Sequence, residues 1–555
     1  MPSQYTYPKY PYKKPAEIGS AQVRRVPVVI AGAGPVGMCA AIDLAQMGVP
    51  VVILDDEDTV SVGSRAVCYA KRAIEVLDRL GCGEPLAAKG VSWNVGRTFL
   101  RDDEVYRFDL QPDADHHRPG MVNLQQYYLE EYLVQRIGEL PAIDLRWKNR
   151  VVSVGESADG ATLQIETPDG IYSLQADWLI VADGARSPIR KMLGLDVEGK
   201  VFMDRFLIAD VIMKADFPAE RWFWFDPPFH RGQSVLLHKQ ADNVWRIDFQ
   251  LGWNADPDEE KKPERVIPRI RAMLGEDREF ELEWVSVYTF QCRRMSDFRR
   301  GRLMFVGDAA HQVSPFGARG ANSGIQDVDN LGWKLKLVMD GQAPEGLLDT
   351  YGAEREFAAD ENIRNSTRST DFITPKSRAS VAFRDATLAL AKEHAFARAL
   401  VNSGRLSVPS FYVDSPLNTP DAEPFAGRMV PGAPLDDAPI EVDGRGGWLL
   451  QSTGDRFQAL VFAGDPASLP ADTVAAFKAL AGGPLPVEVL LVADRPATVP
   501  GLRVLVDRKG VARKRLDGRD GTTYLLRPDQ HVCARMRSFD ADRLREAVRR
   551  ATCTA

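Results

Sequence analysis

Six residues near the N-terminus constrain this chain more than any others: Gly32-Ala33-Gly34-Pro35-Val36-Gly37. The apolar run Val26 to Ile30 precedes them, and a helix-forming stretch from about Val36 to Met47 follows. A short apolar run ended by glycines reads as a buried parallel strand. The next apolar run, Val51 to Leu54, ends at Asp55, 23 residues after Gly32. This is a βαβ unit. In such a unit the glycines let the turn approach a pyrophosphate, and the helix start offers N–H groups to its phosphates. A carboxylate at the end of the second strand accepts hydrogen bonds from ribose hydroxyls. Glycines alone would also suit a tight structural turn. The strand, the helix and Asp55 at this distance favour a dinucleotide site.

Two later motifs say which dinucleotide. Gly301 to His311 (GRLMFVGDAAH) is a strand ending in Gly307-Asp308, and Ser314 to Asn322 (SPFGARGAN) then opens a long helix. Asp308 can accept a hydrogen bond from a ribityl chain. The helix start near Asn322 turns positive charge toward an acceptor, as the anionic N1–C2=O edge of a reduced isoalloxazine requires. Asp183 to Arg190 (DGARSPIR) follows the buried strand Trp178 to Ala182. No second glycine fingerprint is visible, so a nicotinamide must visit the flavin from a transient groove.

In that order the three motifs resemble those of the class A flavoprotein aromatic hydroxylases, and more closely the phenol hydroxylase and 3-(3-hydroxyphenyl)propionate hydroxylase branch, over about residues 24–360. The resemblance implies FAD held by Gly32, Gly34 and Gly37 with the flanking Pro35 and Val36, and Asp55, next to Asp56, on the adenosine ribose. It places Arg65 and Gln126 at pyrophosphate and ribose contacts, Gln126 being followed by Glu130 in the family's Q…E pattern, and adds Val151 and Asp183 to the cofactor set. Asp308 would hold the ribityl, and Pro315, Gly320, Ala321 and Asn322 the isoalloxazine side. The implied reaction is hydroxylation of a small phenolic or related aromatic compound through a C4a-hydroperoxyflavin, with O2 and a transient NADH or NADPH as co-substrates. The loop departs from the family's usual GGQGMN-like pattern, with Arg319 where glutamine is common, which is expected to change how the flavin ring sits or how substrate enters.

The expected fold class is α/β: a Rossmann-like FAD-binding domain with an inserted β-rich substrate domain, para-hydroxybenzoate hydroxylase-like, and a C-terminal thioredoxin-like α/β domain. The boundaries read as an N-terminal arm (1–23), the two parts of the FAD-binding domain (24–195 and 301–360), the substrate-binding sheet (196–300), a helical segment (361–413), a linker rich in Pro, Asp and Gly (414–437) and the last domain (438–555). Thr522 to Val532 resembles the end of the branch's thioredoxin-like domain. The six cysteines form no CxxC, so that domain does no disulfide exchange and is expected to serve packing or oligomer contact. The resemblance allows a homodimer.

Composition sets the outer limits. With 45% apolar and 26% charged residues, the chain is neither disordered nor a fibrous repeat. A net charge of −7 gives no general attraction for nucleic acid or anionic membrane. The N-terminus lacks an apolar signal core, and the uncharged stretch Val26 to Ile42 is too short to span a bilayer. Scattered cysteines suit a reducing cytoplasm. His116, His117 and His230 lack metal-ligand spacing, so no metal is expected.

The catalytic candidates lie in the inserted sheet. Trp245 to Leu251 alternates, placing Arg246, Asp248 and Gln250 on one face. That face is either a solvated exterior or the roof of the active site. Arg246 matches the position from which para-hydroxybenzoate hydroxylase-type enzymes extend an arginine to flavin and substrate. His238 is a candidate base, with a satisfied structural histidine as the simpler alternative, and Asp248 completes the catalytic set. Trp222 to Pro227 is similar to the WxWxIP of flavin-dependent halogenases, with Asp226 in place of the Ile, and reads as core or pocket wall. His311 reads as a packing residue. The competing functions are a flavin-dependent halogenase or reductase, and a flavin-holding protein without turnover.

Overall fold

The computed structural model describes residues 5–63, 65–215, 217–401 and 406–555. The glycine turn sits at the centre of a parallel sheet. The strand Arg24–Ala31 lies between Gly170–Val181 and Val51–Leu54, with Ile143–Arg146 and Leu303–Phe305 outside them, all parallel. Val28 to Ile30 and Val51 to Leu54 are buried without alternation, as expected for strands covered on both faces. The helices Pro35–Gln46 and Gly320–Met339 pack together against this sheet.

The second sheet has eight strands, in the order His311–Gln312, Glu281–Arg294, Glu198–Ile212, Val244–Leu251, Ser234–Lys239, Arg221–Phe225, Val95–Leu100 and Asp103–Asp109. It is wider than the 196–300 insertion read from sequence. Residues 95–109, from the first segment, extend it by pairing Val95–Leu100 in parallel with Arg221–Phe225. Both faces of its centre are covered. Trp245, Ile247 and Phe249 pack with Val266 and Ile270 of the helix Pro263–Leu274. The opposite face carries Arg246, which is 3% exposed, so the solvated-exterior reading of that face does not hold.

The C-terminal sheet has seven strands. Phe457–Phe462 pairs in parallel with Val487–Ala493 and antiparallel with Thr523–Leu526. Segment 414–437 contains no helix, as a linker would, but it is packed: Leu417, Met429 and Leu435 are buried in that domain's cores, and Asp421 pairs with Arg535 at 2.6 Å. Among the described residues no helix is long and apolar enough to cross a membrane.

Candidate functional site

The three glycines of the first turn have different surroundings. Gly32 has φ +105°, and a Cβ there would lie 2.4 Å from the Ala182 carbonyl oxygen. A Cβ on Gly37 would lie 2.0 Å from the Gly32 oxygen. These two positions exclude side chains by packing, whereas a Cβ on Gly34, the residue before the helix, would meet nothing within 4 Å. That open cradle at a helix start is where a pyrophosphate can approach backbone N–H groups. Pro35 begins the helix, and Val36 packs against Gly307 and Gly324. Asp55 accepts hydrogen bonds from Ala33 N (2.5 Å) and Glu57 N (2.9 Å), one on each oxygen, leaving lone pairs for ribose hydroxyls. Burial raises its carboxyl above the ordinary range, against the pull of those two bonds. Asp56 is exposed beside it, and Val151 packs half-buried on the domain's core.

Gln126 is hydrogen-bonded within the protein. Its Oε1 accepts from Ala66 N (2.9 Å) and its Nε2 donates to Glu130 (2.7 Å) and Ser61 (3.2 Å). Glu130 in turn accepts from the Ser61 hydroxyl at 2.7 Å. The Q…E pair therefore tethers the loop that carries Arg65. Arg65 is exposed, and its charge is felt by Asp308 and Tyr288. The structure thus brings Arg65 and Asp308 to one place.

Asp308 is open to solvent at residue level yet lies deep among protein atoms. Desolvation raises its carboxyl, with His311 and Arg65 opposing. The turn is fixed from behind: Asp327 accepts from Gly307 N (2.8 Å), from His311 Nε2 (2.7 Å) and from Arg355 Nε (2.6 Å). His311, bonded to Asp327 and stacked on Phe298, is a packing residue. Arg190 donates to Ala309 O (2.6 Å) and Gln312 to Ala185 O (2.7 Å), lacing the Asp183 loop to the Asp308 turn. Asp183 accepts from Ile189 N at 3.0 Å, while its Oδ1 is buried without a partner.

At the helix start a Cβ on Gly320 would meet only Val313 at 3.8 Å and Asp308 Oδ1 at 4.0 Å. Gly320 and Ala321 can thus present N–H groups beside Asp308. The Asn322 side chain cannot join them: it accepts from Ala70 N (2.8 Å) and donates to Cys68 O (2.8 Å) and Ala318 O. Pro315 is exposed on the same loop. Arg319 is 3% exposed and turns back on its own loop, donating to Phe316 O at 3.1 Å, rather than projecting toward a flavin ring.

The inserted sheet supplies the other wall. Directly paired residues form a row: Arg221, His238, Arg246, Asp210, Trp284. Arg246 is held by both Asp210 oxygens at 2.8 Å and lies over Trp284, which pins its guanidinium within the sheet. Asp248, two residues on, has a buried Oδ1 without a partner, and burial raises its carboxyl to about 6 although Arg246 and Arg221 oppose this. His238 is 2% exposed, and burial, with Arg221 and Arg246 nearby, lowers its pKa well below the ordinary value. Its hydrogen bonds bear on the tautomer. Trp93 Nε1 donates to Asn123 Oδ1 at 2.8 Å, so the 3.2 Å contact from Asn123 Nδ2 makes His238 Nδ1 an acceptor. The neutral ring then carries its proton on Nε2, which is buried without a partner. His238 offers a hydrogen-bond donor.

A cavity of about 50 Å³ adjoins this row and the loop after Asp308, lined by Thr98, Arg221, Phe223, Phe225, Phe316 and Gly317 among others. Phe223 and Phe225 face it, while Trp222 and Trp224 pack on the other side of the sheet. The sequence reading of that run caught the wall but missed Arg221, although the alternation of Arg221, Phe223 and Phe225 carried the signal. Among the described residues Arg221 has no carboxylate within ion-pair distance, and Thr98 Oγ1 is buried without a partner. Asn123, Cys68 and Asp210 were also missed, and no local pattern marks them.

The cradle at Gly34, the open start at Gly320, the unengaged Asp308 and the orphaned Asp183 oxygen all fit a long phosphate-bearing flavin. Residues 25–366 match the family profile described as an FAD binding domain. The chain is 29% identical over 368 residues to a 3-(3-hydroxy-phenyl)propionate/3-hydroxycinnamic acid hydroxylase of Mycolicibacterium smegmatis, covering 65% of this chain and 63%, less than two thirds, of that protein. It is 32% identical over 421 residues to 6-methylpretetramide 4-monooxygenase of Streptomyces rimosus, covering 72% of each. The crystal structure of the flavin-dependent monooxygenase PieE in complex with FAD and substrate superposes with TM-score 0.81 at 25% identity, covering 96% of this chain and 99% of that one.

Proposed function

Because the chain belongs to the FAD-binding-domain family, we propose that it is an FAD-dependent aromatic hydroxylase, a monooxygenase acting on a small phenolic or related aromatic compound, with NADH or NADPH and O2 as co-substrates. The observation that carries this reading is the cavity where Phe316 and Gly317, on the loop after Asp308, meet Arg221 and the unpaired Thr98 hydroxyl of the inserted sheet. When bound, FAD supplies the redox chemistry by which a reduced nicotinamide and O2 yield one oxygen atom for the ring.

The chain's own residues do the rest. Gly32, Gly34, Gly37 and Asp55 bind the pyrophosphate and adenosine ribose; Asp308 and the N–H groups of Gly320 and Ala321 orient the ribityl and ring. Phe223, Phe225 and Phe316 exclude water around the substrate. Asp248 takes the phenolic proton on its free Oδ1, since a carboxyl near 6 is ionised at neutral pH and close enough to serve as a base. His238 Nε2–H donates to the same substrate oxygen or its neighbour, and Arg221, paired directly with His238 and lining the cavity, holds an acceptor or anionic substituent.

The C-terminal unit we read as a thioredoxin-like module used for packing, from residue 438 onward, and the chain as a cytoplasmic protein able to pair as a homodimer; its free cysteines support a reducing compartment. The test of the function is NADH or NADPH oxidation with O2 uptake and product analysis across a phenol panel. Purified protein without flavin would overturn the reading at its base. Turnover that needs halide, or proceeds without O2, would replace it with halogenase or reductase chemistry.

A further inference from the structure

The family match begins at residue 25, so the arm of residues 5–23 lies outside it. That arm is nonetheless closely bound. The Tyr5 ring stacks on Tyr127 at 4.0 Å, and Tyr10 stacks on Trp147 at 4.9 Å with 9° between the planes. Its polar contacts converge on one stretch. Tyr10 N donates to Asp58 O (2.8 Å), the Thr59 hydroxyl to Pro8 O (2.6 Å) and Gly63 N to the Tyr7 hydroxyl (3.0 Å), while Lys9 pairs with Asp58 at 2.6 Å.

That stretch runs from Asp55 to Arg65, between the adenosine ribose site and the residue facing Asp308. It has neither helix nor strand among its described residues, so tethers fix its path. Gln126 and Glu130 hold it from within at Ser61 and Ala66. Trp284 lies directly on Gly63: with φ +75°, a Cβ there would be 2.4 Å from the indole Nε1. Arg246 stands over that same indole at 5.7 Å. A contiguous path therefore joins Tyr7, Gly63, Trp284 and Arg246.

Resting on the hydroxylase reading above, we propose that Tyr7 is a positioning residue: the N-terminal tyrosine arm clamps the Asp55–Arg65 stretch and so sets Arg65 against Asp308 and Trp284 against Arg246. The clamp acts through arm residues that stand outside the set assigned to cofactor or substrate. Loosening it frees Arg65 while leaving the fold's cores untouched.

The experiment compares Tyr7→Phe, which keeps the ring and loses the acceptor, with Thr59→Val, which cuts the bond to Pro8, and with Tyr12→Phe, whose hydroxyl contacts Thr167 and Asp169 away from the stretch. FAD affinity is titrated on the deflavinated full chain, and product formed per NAD(P)H oxidised is measured on the holoenzyme. Tyr7→Phe and Thr59→Val are expected to weaken FAD binding about fivefold, the size of one lost hydrogen bond. Both should lower the product yield per NAD(P)H with melting temperature held within about 2 °C. Hydrogen exchange of the peptide spanning residues 58–66 should speed up in both and not in Tyr12→Phe. Unchanged affinity, yield and exchange in Tyr7→Phe, or equal losses in Tyr12→Phe, would overturn the proposal. If the parent itself takes up no flavin, the hydroxylase reading fails, and the exchange measurement still decides whether the arm clamps the stretch.

Discussion

Asp327 and Asp248 are both carboxylates enclosed by protein beside arginine, yet their hydrogen bonding differs. Asp327 spends both oxygens: on Arg355, on His311 and on the Gly307 amide. Burial raises it, but His311 and Arg355 more than offset this and hold it below the ordinary carboxylate range. Next to Arg355, Glu354 accepts from Arg527 of the C-terminal sheet at 2.6 and 3.0 Å and from Lys334 at 2.8 Å. That cluster is closed on itself and ties the GD turn to the helix behind it and the C-terminal domain to that helix. Asp248 instead keeps one buried oxygen unpaired, beside His238 with an unpaired Nε2. Buried polar groups left unsatisfied are costly, so a fold retains them where a ligand completes them. The difference sets a closed cluster behind the Gly307 turn apart from one that keeps unpaired polar atoms, which the proposed hydroxylase reading assigns to substrate.

Cutting the paired cluster should have the largest effect. Arg355→Met takes the guanidinium from buried Asp327 and leaves it only His311 and the Gly307 amide, a loss of about 3 kcal/mol. Urea denaturation should show that drop together with loss of bound flavin, because the Gly307 amide loses its anchor's support. A variant as stable as the parent, with flavin retained, would remove the distinction between the two clusters.

Opening the incomplete cluster should act on catalysis instead. Arg221→Met keeps an unbranched apolar stem and removes the charge. Hydrogen bonds to charged groups are worth roughly 1.5–3 kcal/mol, so KM for a substrate bearing an anionic or acceptor group should rise about 10- to 100-fold. A phenol lacking that group should show little change. Equal losses for both substrates, or a large fall in stability, would place Arg221 with the scaffold.

The two clusters were not equally visible in the sequence. The glycine turn, Asp55 and the GD turn are local motifs, and the helices Pro35–Gln46 and Gly320–Met339 follow from adjacent residues. The alternation from Trp245 to Leu251 correctly grouped Arg246 with Asp248. What escaped depends on distant pairing. Asp327 meets Arg355 28 residues away, and Arg118, far from it in the chain, caps Asp78 40 residues back. Strand Val95–Leu100 joins the inserted sheet only because Arg221–Phe225 lies alongside. Arg246 shares its sheet face with Arg221, but Asp210 on the neighbouring strand claims its guanidinium, a pairing the local alternation does not reveal. Segment 414–437 looked like a linker because packing in the absence of periodicity leaves no pattern to read.

Asp248 also sharpens the comparison through pH. Burial raises its carboxyl to about 6, so the folded chain keeps a proton that the unfolded chain releases near pH 4. The associated stability is complete below about pH 4 and is lost as pH rises through 6, on the order of 1–2 kcal/mol after allowance for its partial exposure. Asp248→Asn should flatten that slope in thermal denaturation between pH 4.5 and about 8. In the parent kcat/KM should rise as Asp248 ionises near 6, and in the variant it should be low and flat. Asp327 predicts the opposite slope, since its lowered carboxyl gives stability that disappears only as pH falls. If Asp248→Asn left both profiles as they are, the free oxygen would have no part in the reaction.

The smallest expected effect separates the two histidines. His311 Nε2 donates to a carboxylate that is already in place, whereas His238 Nε2 is buried without a partner, and the proposed function assigns its acceptor to the substrate. Replacing His238 with Gln keeps a side-chain N–H donor in reach, while His238→Leu removes it at similar volume. One neutral hydrogen bond is worth about 0.5–1.5 kcal/mol, so His238→Leu should raise KM about three- to tenfold and His238→Gln should recover part of that. Because His238 is already neutral well above its lowered pKa, neither variant should shift the acid limb near 6, which belongs to Asp248. Loss of that limb in His238→Gln would return the proton-accepting role to the imidazole, and the Asn123 contact would then have to be read with the opposite tautomer.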